Sequence, residues 1–329
     1  MITLPSRAQL APVLHNKALL FCIKILIAAL LLLSLRGKIG GGQITAAFQN
    51  ARIGFIIFSF LLLGVNIFLQ FKKWQLLVRL AKPEVGNNEI LSSLLAGMTL
   101  GLVTPGRIGE FGRAMFIKNF KWSEALGLVM IDKIFAVVVI YFFGIIGYLY
   151  FIRITFHQFL TLPLRIILFL LLALLLYIIL HPQLVRVNLG RIFPAVQKHP
   201  KLQLLLSSLD NFKTRQAWIL LGYALLHAVT YNFQFYLLIC AFADINLYHG
   251  LLAVVSIMMV KTLLPVSFGD LGVRESAAIY FLSHFAISGA AAFNASILLF
   301  FINVLLPGLA GMVVILMNRS TANQSGVST

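Results

Sequence analysis

The chain has 329 residues, 60% of them hydrophobic and only 11% charged, a balance that cannot clothe a water-soluble domain and places the protein in a bilayer. Apolar runs occupy its whole length, which leaves room for a loop or two outside the membrane and excludes a soluble catalytic module. The formal net charge of +17 is better explained by Lys and Arg collected in cytoplasmic loops than by nucleic-acid binding.

A helix needs about 20 mostly apolar residues to cross the hydrocarbon core. Residues 1–16 read as a polar arm with Arg7, followed by a first apolar run at 17–35. Arg36 and Lys38 come next without a small-residue cleavage pattern, so this run is read as an uncleaved helix rather than a signal peptide. Further spans are predicted at 53–71, 125–151, 162–180, 217–241 and 292–317. Two shorter runs, 90–103 and 251–264, stop at proline motifs and read as half-helices. The expected fold is an all-α polytopic membrane protein, with about six full spans plus two re-entrant or broken helix hairpins related as an inverted repeat. It forms one membrane domain over 1–329, with repeat-like halves at 17–151 and 162–317. The cysteines, Cys22 and Cys240, lie within apolar runs and suggest neither a disulfide framework nor a metal cluster.

The two half-helices end in related sequences, PGRIGEFGR at 105–113 and PVSFGDLGVR at 265–274. Pro105 aligns with Pro265, Ile108 with Phe268, Gly109 with Gly269, Glu110 with Asp270, Phe111 with Leu271 and Gly112 with Gly272, and Arg113 and Arg274 follow with an offset of one. Paired interruptions in corresponding positions of two halves are the sequence sign of a transporter's binding site. Pro105 and Pro265 remove a donor and end the helices before them, while Gly106, Gly109, Gly112, Gly269 and Gly272 permit unwound backbone. Such backbone is tolerated at membrane depth only where it is buried in protein or lines a watery cavity. The second half-helices, starting near Glu110 and Leu271, are expected to aim N–H groups at that cavity, a geometry suited to anions.

Loop charge orients the chain. Lys72, Lys73, Arg79 and Lys82 lie between 71 and 90, and the loop 181–215 carries Arg186, Arg191, Lys198, Lys201, Lys213 and Arg215, so both face the cytoplasm. The connection 242–249 carries Asp244 and no Lys or Arg, and faces outward. The rule holds for the most basic loop only if 90–119 dips into the membrane and returns to the same side. Applied to the second half, it has 251–285 entering from outside, with both termini cytoplasmic. The two motifs then approach the midplane from opposite faces.

Glu110, Asp132, Asp270 and Glu275 fall in or beside apolar segments, with Arg107, Arg113, Lys133, Lys261 and Arg274 as basic neighbours. Each ionisable group at the membrane centre costs at least about 2.5–3.5 kcal/mol, so retained clusters are functional candidates. Arginine's planar fork matches phosphate oxygens. Arg113 and Arg274 are therefore expected to contact an anionic lipid head group, with Arg107 and Lys133 behind them. Glu110, Asp132, Asp270 and Glu275 are left to hold those cations, engage a cationic substituent or relay a proton. Glu110 with Arg113 and Asp132 with Lys133 also read as simple structural pairs. Lys24 reads as a snorkelling lysine, Asn66, Gln70, His227, Asn232 and Gln234 as links between helices, and Gly101 as helix packing.

At these residues the chain resembles the transmembrane, flippase-like domain of lysylphosphatidylglycerol synthases, which also occurs as stand-alone membrane proteins. The resemblance is carried by TPGRIGEFGRA at 104–114, IDK at 131–133 and LPVSFGDLGVRES at 264–276. Family members usually have glycine at the positions of Arg107 and Asp270 and an arginine near Lys133. The resemblance implies translocation or handling of an anionic phospholipid or lipid-linked substrate between leaflets of a bacterial cytoplasmic (inner) membrane. Polyprenyl-type and hopanoid-type lipids remain open as substrates, and a lipid or glycan biosynthetic enzyme as partner. It implies no cofactor and no metal, and the soluble aminoacyl transferase domain of the larger synthases is not found in the sequence. An integral-membrane transferase using a lipid phosphate, with Glu110, Asp132 or Asp270 as base, and a non-catalytic partner docking through the basic loop are the alternatives. No nucleotide-binding loop, DxD metal pair or nucleophile constellation accompanies the motifs, and transport ranks above catalysis.

Overall fold

In the computed structural model the described residues are 33–34, 37, 39–102, 104, 107–118, 122–157, 162–181, 212–263 and 271–325, excluding the side chains of 122–125, 164, 171, 175, 178–179 and 318–325. Nearly all of the predicted span 17–35, most of the loop 181–215, and Pro105, Gly106, Pro265, Gly269 and Asp270 lie outside them.

Every described element is a helix: α1 Gly41–Gln49, α2 Ile53–Ala81, α3 Asn87–Leu102, a 3-10 helix Ile108–Phe116, α4 Trp122–Phe156, α5 Leu162–Leu180, α6 Thr214–Phe242, α7 Leu247–Leu263, α8 Val273–Ser283, α9 Gly289–Phe300, a π turn Phe301–Leu305 and α10 Leu306–Ser325. Among the described residues, four helical stretches, Ile53–Ala81, Leu126–Phe156, Thr214–Phe242 and Gly289–Met317, are long and apolar enough to cross a bilayer, and the chain is an integral membrane protein. The boundaries have local causes. Helix α2 gives way at Lys82, whose helical backbone is disfavoured by the ring of Pro83. Helix α9 begins after Ser288, whose Oγ accepts the Ala291 N–H at 3.2 Å. The predicted half-helices appear as α3 and α7, but the return limb of the first is a 3-10 helix rather than an α-helix.

The π turn precedes Pro307, which has no N–H to give an α ladder, and the wider turn absorbs that loss. It also presents Asn303 to a buried polar knot between α2 and α6. Asn66 Nδ2 donates to Asn303 Oδ1 at 3.0 Å and to Gln234 Oε1, Asn303 Nδ2 donates to Gln234 Oε1 at 3.0 Å, and Gln234 Nε2 donates to the Ser59 carbonyl at 2.7 Å. Each such bond between apolar helices contributes about 0.6–2 kcal/mol. Asn66 and Gln234 thus link helices as expected.

Helix α2 serves as a ruler for the two hairpins. At its C-terminal end, Arg79 donates to Asn87 Oδ1 at 2.9 Å, Lys82 Nζ donates to the Lys118 carbonyl at 3.5 Å, and the Lys118 N–H donates to Glu89 at 2.5 Å. The chain therefore rises along α3, doubles back through the 3-10 helix and returns to the end it left. At the other end of α2, Arg52 binds Asp244 at 2.6 Å and its N–H donates to the Ala241 carbonyl at 2.8 Å. There α7 begins, and His249 in its first turn stacks on Phe285, just beyond α8, with ring centroids 4.8 Å apart. Hairpin α7–α8 thus opens at the end of α2 opposite to hairpin α3–3-10.

Glycine pairs seat each hairpin on the last helix of the other half. A Cβ at Gly144 of α4 would stand 2.5 Å from Met259 Cβ, and one at Gly147 would strike Val255, both on α7. On α10, a Cβ at Gly308 would come within 2.8 Å of Leu102, and one at Gly311 would strike the Leu95 carbonyl of α3. The closeness lets Thr99 Oγ1 donate to the Gly308 carbonyl at 2.7 Å. Such small-residue contacts are how helices approach closely in lipid.

Candidate functional site

The first motif lies in a groove cut into α3 by glycine. Gly97 and Gly101 are one turn apart, and a Cβ on them would stand 2.5 Å from Arg113 Cβ and 2.6 Å from Glu110 Cγ. From the other side, Gly109 faces the Leu100 carbonyl so closely that any side chain there would collide with backbone. Gly101, read from sequence as packing alone, thereby seats a charged residue. Trp74 Nε1 donates to Ser93 Oγ at 3.2 Å, and Ser93 Oγ donates to the Arg113 carbonyl at 2.7 Å. The Arg113 guanidinium lies 3.8 Å from the centre of the Trp74 ring, a contact worth about 2 kcal/mol when dry. Gly97→Ala is expected to cost about 1–3 kcal/mol by forcing the return limb off this groove, measured as a lower thermal midpoint of the solubilised protein.

Five predicted site residues, Arg107, Glu110, Arg113, Asp132 and Lys133, meet here. Asp132 of α4 lies 3.0 Å from Lys73 of α2 and 3.0 Å from Arg113, with all three side chains at most 8% exposed. Glu110 binds both Arg107 and Lys133. The sequence-neighbour pairings Glu110 with Arg113 and Asp132 with Lys133 are thus corrected. Adjacent residues of an α-helix diverge by about 100°, so Asp132 and Lys133 point to different partners. Residues three apart on a 3-10 helix eclipse, so Glu110 and Arg113 share one face and both reach across to α4. Lys73, read from sequence as a topological charge, is a full member of the cluster. Its place within the long helix α2, a turn and more before Arg79, was the available signal.

Above this cluster opens a cavity of about 140 Å³. Its walls are Ala136, Ile140 and Phe143 of α4, Ala224, His227, Ala228, Tyr231 and Asn232 of α6, and Val255, Met258 and Lys261 of α7, with Arg107 from the first motif. Arg107 and Lys261 bring the first motif and the last turn before the second motif to one space. Arg107 holds a left-handed backbone, φ 56°, a conformation that costs a non-glycine residue about 1–2 kcal/mol. That is the physical reason glycine suits this position, and the arginine here exchanges backbone ease for a cation on the wall. His227 lies within electrostatic range of Lys73, Asp132, Arg107 and Lys133, and its buried Nε2 has no hydrogen-bond partner. His227 and Asn232, assigned from sequence to helix linking, line this cavity.

The second motif is built differently. Arg274 and Glu275 are fully buried. Arg274 donates to Glu275 at 2.6 Å and to Ser296 Oγ of α9 at 2.8 Å, and the Ser296 hydroxyl donates to Glu275 at 2.9 Å. The other Glu275 oxygen accepts the Gly272 N–H at 2.6 Å, and Gly272 itself takes φ 88° to start α8. In the first motif the Gly109 N–H donates to Thr104 Oγ1 at 2.6 Å. Both return limbs therefore begin with an N–H held by the chain's own side chain, where the sequence suggested N–H groups open to an anion. Arg107 stands at the cavity wall, whereas Arg113 and Arg274, the arginines expected to contact a head group, are buried. Arg274 and Glu275 pair within α8 and share Ser296 of α9.

Comparison with family models matches residues 21–311 to the lysylphosphatidylglycerol synthase TM region. No curated protein and no solved structure matches the chain.

Proposed function

Because the chain belongs to the lysylphosphatidylglycerol synthase TM region family, we propose that it carries the head group of an anionic lipid between leaflets, through the cavity between its two hairpins, while the acyl tails stay in the bilayer. The observation that carries this reading is the joint presence of Arg107 and Lys261 on one cavity wall, each belonging to a different half and a hairpin of opposite entry. Arg107 caps the 3-10 helix and Lys261 lies in the last turn of α7, and cations so placed suit a phosphate oxygen.

An inverted repeat is supported by pairings that the sequence motifs alone do not contain. Helices α2 and α6 each have 29 residues and pack together. Residues equally far from their starts are Asn66 and His227, and Lys73 and Gln234. Asn66 bonds Gln234, while Lys73 lies in electrostatic range of His227, so the bonded pair and the electrostatic pair exchange when the halves are exchanged. Arg113 reaching Asp132 on α4 likewise has a counterpart in Arg274 reaching Ser296 on α9. The end of α2 that holds Arg79, Lys82 and Lys118 faces the cytoplasm of a bacterial inner membrane by loop charge, and the Arg52–Asp244 end faces outward.

The test is leaflet exchange of head-group-labelled anionic lipid in proteoliposomes, comparing wild type with Arg107→Gly. Glycine relieves the left-handed strain and Glu110 loses one cation but keeps Lys133, so the variant's melting temperature is expected to stay close to that of wild type. Loss of a charge-assisted contact worth about 1.5–3 kcal/mol is expected to slow exchange about 10–100-fold. Unchanged exchange in a folded variant removes Arg107 from the pathway, and no exchange by wild type with any anionic lipid removes the transport reading.

A further inference from the structure

The cavity has one polar wall. Helix α6 lends it His227, Tyr231 and Asn232, while α4 lends it Ala136, Ile140 and Phe143. The His227 Nε2 is buried without a hydrogen-bond partner, and among the described residues neither the Tyr231 hydroxyl nor the Asn232 amide bonds to another side chain or carbonyl. Gln234, two residues further on, shows what helix linking looks like: it is tied to Asn66, to Asn303 and to the Ser59 carbonyl. Polar side chains on a membrane helix find such partners on neighbouring helices, and one left without is costly. Three together on one wall of a cavity are placed for a ligand.

The chemistry of that wall selects its partner. Arginine and lysine only donate, which suits phosphate oxygens, whereas a neutral imidazole, a phenol and a carboxamide each donate and accept. A phosphodiester has no hydrogen to offer such groups, and a hydroxyl answers both of their functions. Spacing adds a second constraint. With a rise of about 1.5 Å per residue, positions 227 and 232 stand about 7.5 Å apart along α6. The free hydroxyls of a glycerol group sit on neighbouring carbons and fall short of that span, while those of a six-membered ring are distributed around it. The hydrocarbon face of such a ring suits the apolar side chains of α4, Phe143 among them.

We infer that the head group carries, beyond its phosphate, a hydroxylated ring, either a sugar or a cyclic polyol, read by His227, Tyr231 and Asn232. This rests on the lipid-handling reading above and narrows its substrate class. The full chain in zwitterionic nanodiscs is titrated with phosphatidylinositol, phosphatidylglycerol or phosphatidylethanol of identical acyl chains. These are phosphodiesters of one charge that differ in their hydroxyls, and binding is followed by native mass spectrometry and thermal shift. Phosphatidylinositol is expected to bind at least about tenfold more tightly than phosphatidylethanol. His227→Phe, Tyr231→Phe and Asn232→Leu are each expected to weaken phosphatidylinositol binding about threefold, Tyr231→Phe being the variant least able to disturb folding because it loses one oxygen and keeps its ring. Equal binding of phosphatidylethanol overturns the inference, as does phosphatidylglycerol bound as tightly as phosphatidylinositol, or an undiminished preference in the folded variants. Inositol 1-phosphate that reproduces the phosphatidylinositol shift by itself assigns the site to a soluble ligand and overturns the lipid source. Because the readout is binding, the outcome stands apart from leaflet exchange: a hydroxyl preference without exchange defeats transport alone, and exchange without a hydroxyl preference defeats the inference alone.

Discussion

Asp132→Ala is expected to destabilise the protein by about 3–5 kcal/mol, enough to remove most folded protein from the membrane. The carboxylate lies 3.0 Å from both Lys73 and Arg113 in a site where no side chain is more than 8% exposed. Its removal takes from two buried like charges the carboxylate they share, and leaves the Arg113 guanidinium stacked on Trp74 without that partner. Asp132→Asn keeps the shape and an acceptor but not the charge, and is expected to lose nearly as much. Lys73→Met is milder, because Asp132 still has Arg113. Combining Lys73→Met with Asp132→Ala is therefore expected to recover part of the loss, a coupling that a double-mutant cycle on thermal midpoints reads directly. A cost for Asp132→Ala below about 1 kcal/mol, with additive behaviour in the double variant, would mean that water fills the cluster and the pairs are of the weak surface kind.

Arg274→Ala is expected to be of similar size, about 3–5 kcal/mol, for the same reason with the sign reversed. It strands the fully buried Glu275, whose remaining partners are the Gly272 N–H and the Ser296 hydroxyl. The start of α8 is affected as well, because Glu275 accepts the N–H of Gly272, the residue that caps the helix. Ser296→Ala, which leaves the ion pair intact, is expected to cost about 1 kcal/mol. Arg274→Ala combined with Glu275→Gln is expected to be more stable than Arg274→Ala alone, since the stranded charge is gone. If the single and double variants melt together, the pair is not what holds α8 to α9.

The breaks that end α3 and α7 were legible in the sequence because proline and glycine interrupt apolar periodicity, while the entry direction that loop charge assigns to each is what the labelling below tests. The partners of the charges were not legible. Glu110, Arg113, Asp132 and Lys133 were all identifiable as costly residues in apolar surroundings, but which carboxylate meets which cation depends on the 3-10 twist of the return limb, and nothing in IGEFGR separates that from an α-helical turn. The sequence put Arg113 and Arg274 ahead of Arg107 as head-group contacts, and nothing in it told that the first two are buried while Arg107 lines the cavity. His227 and Asn232 were classed with Asn66 and Gln234 because one polar residue in an apolar helix looks like another. The equal placement of Asn66 and His227 along two helices of the same length became meaningful only once α2 and α6 were seen to pack together.

Passage of a head group through a midplane cavity requires the two hairpins to open to opposite sides of the membrane. Lys118 and Ser283 are both exposed and mark the two open ends. With Cys22 and Cys240 replaced by alanine, Lys118→Cys and Ser283→Cys are labelled in sealed membrane vesicles of known sidedness with a maleimide that cannot cross the bilayer. Labelling of the first only from the cytoplasmic side and of the second only from the outer side is the expected result, and labelling of both from the same side contradicts it.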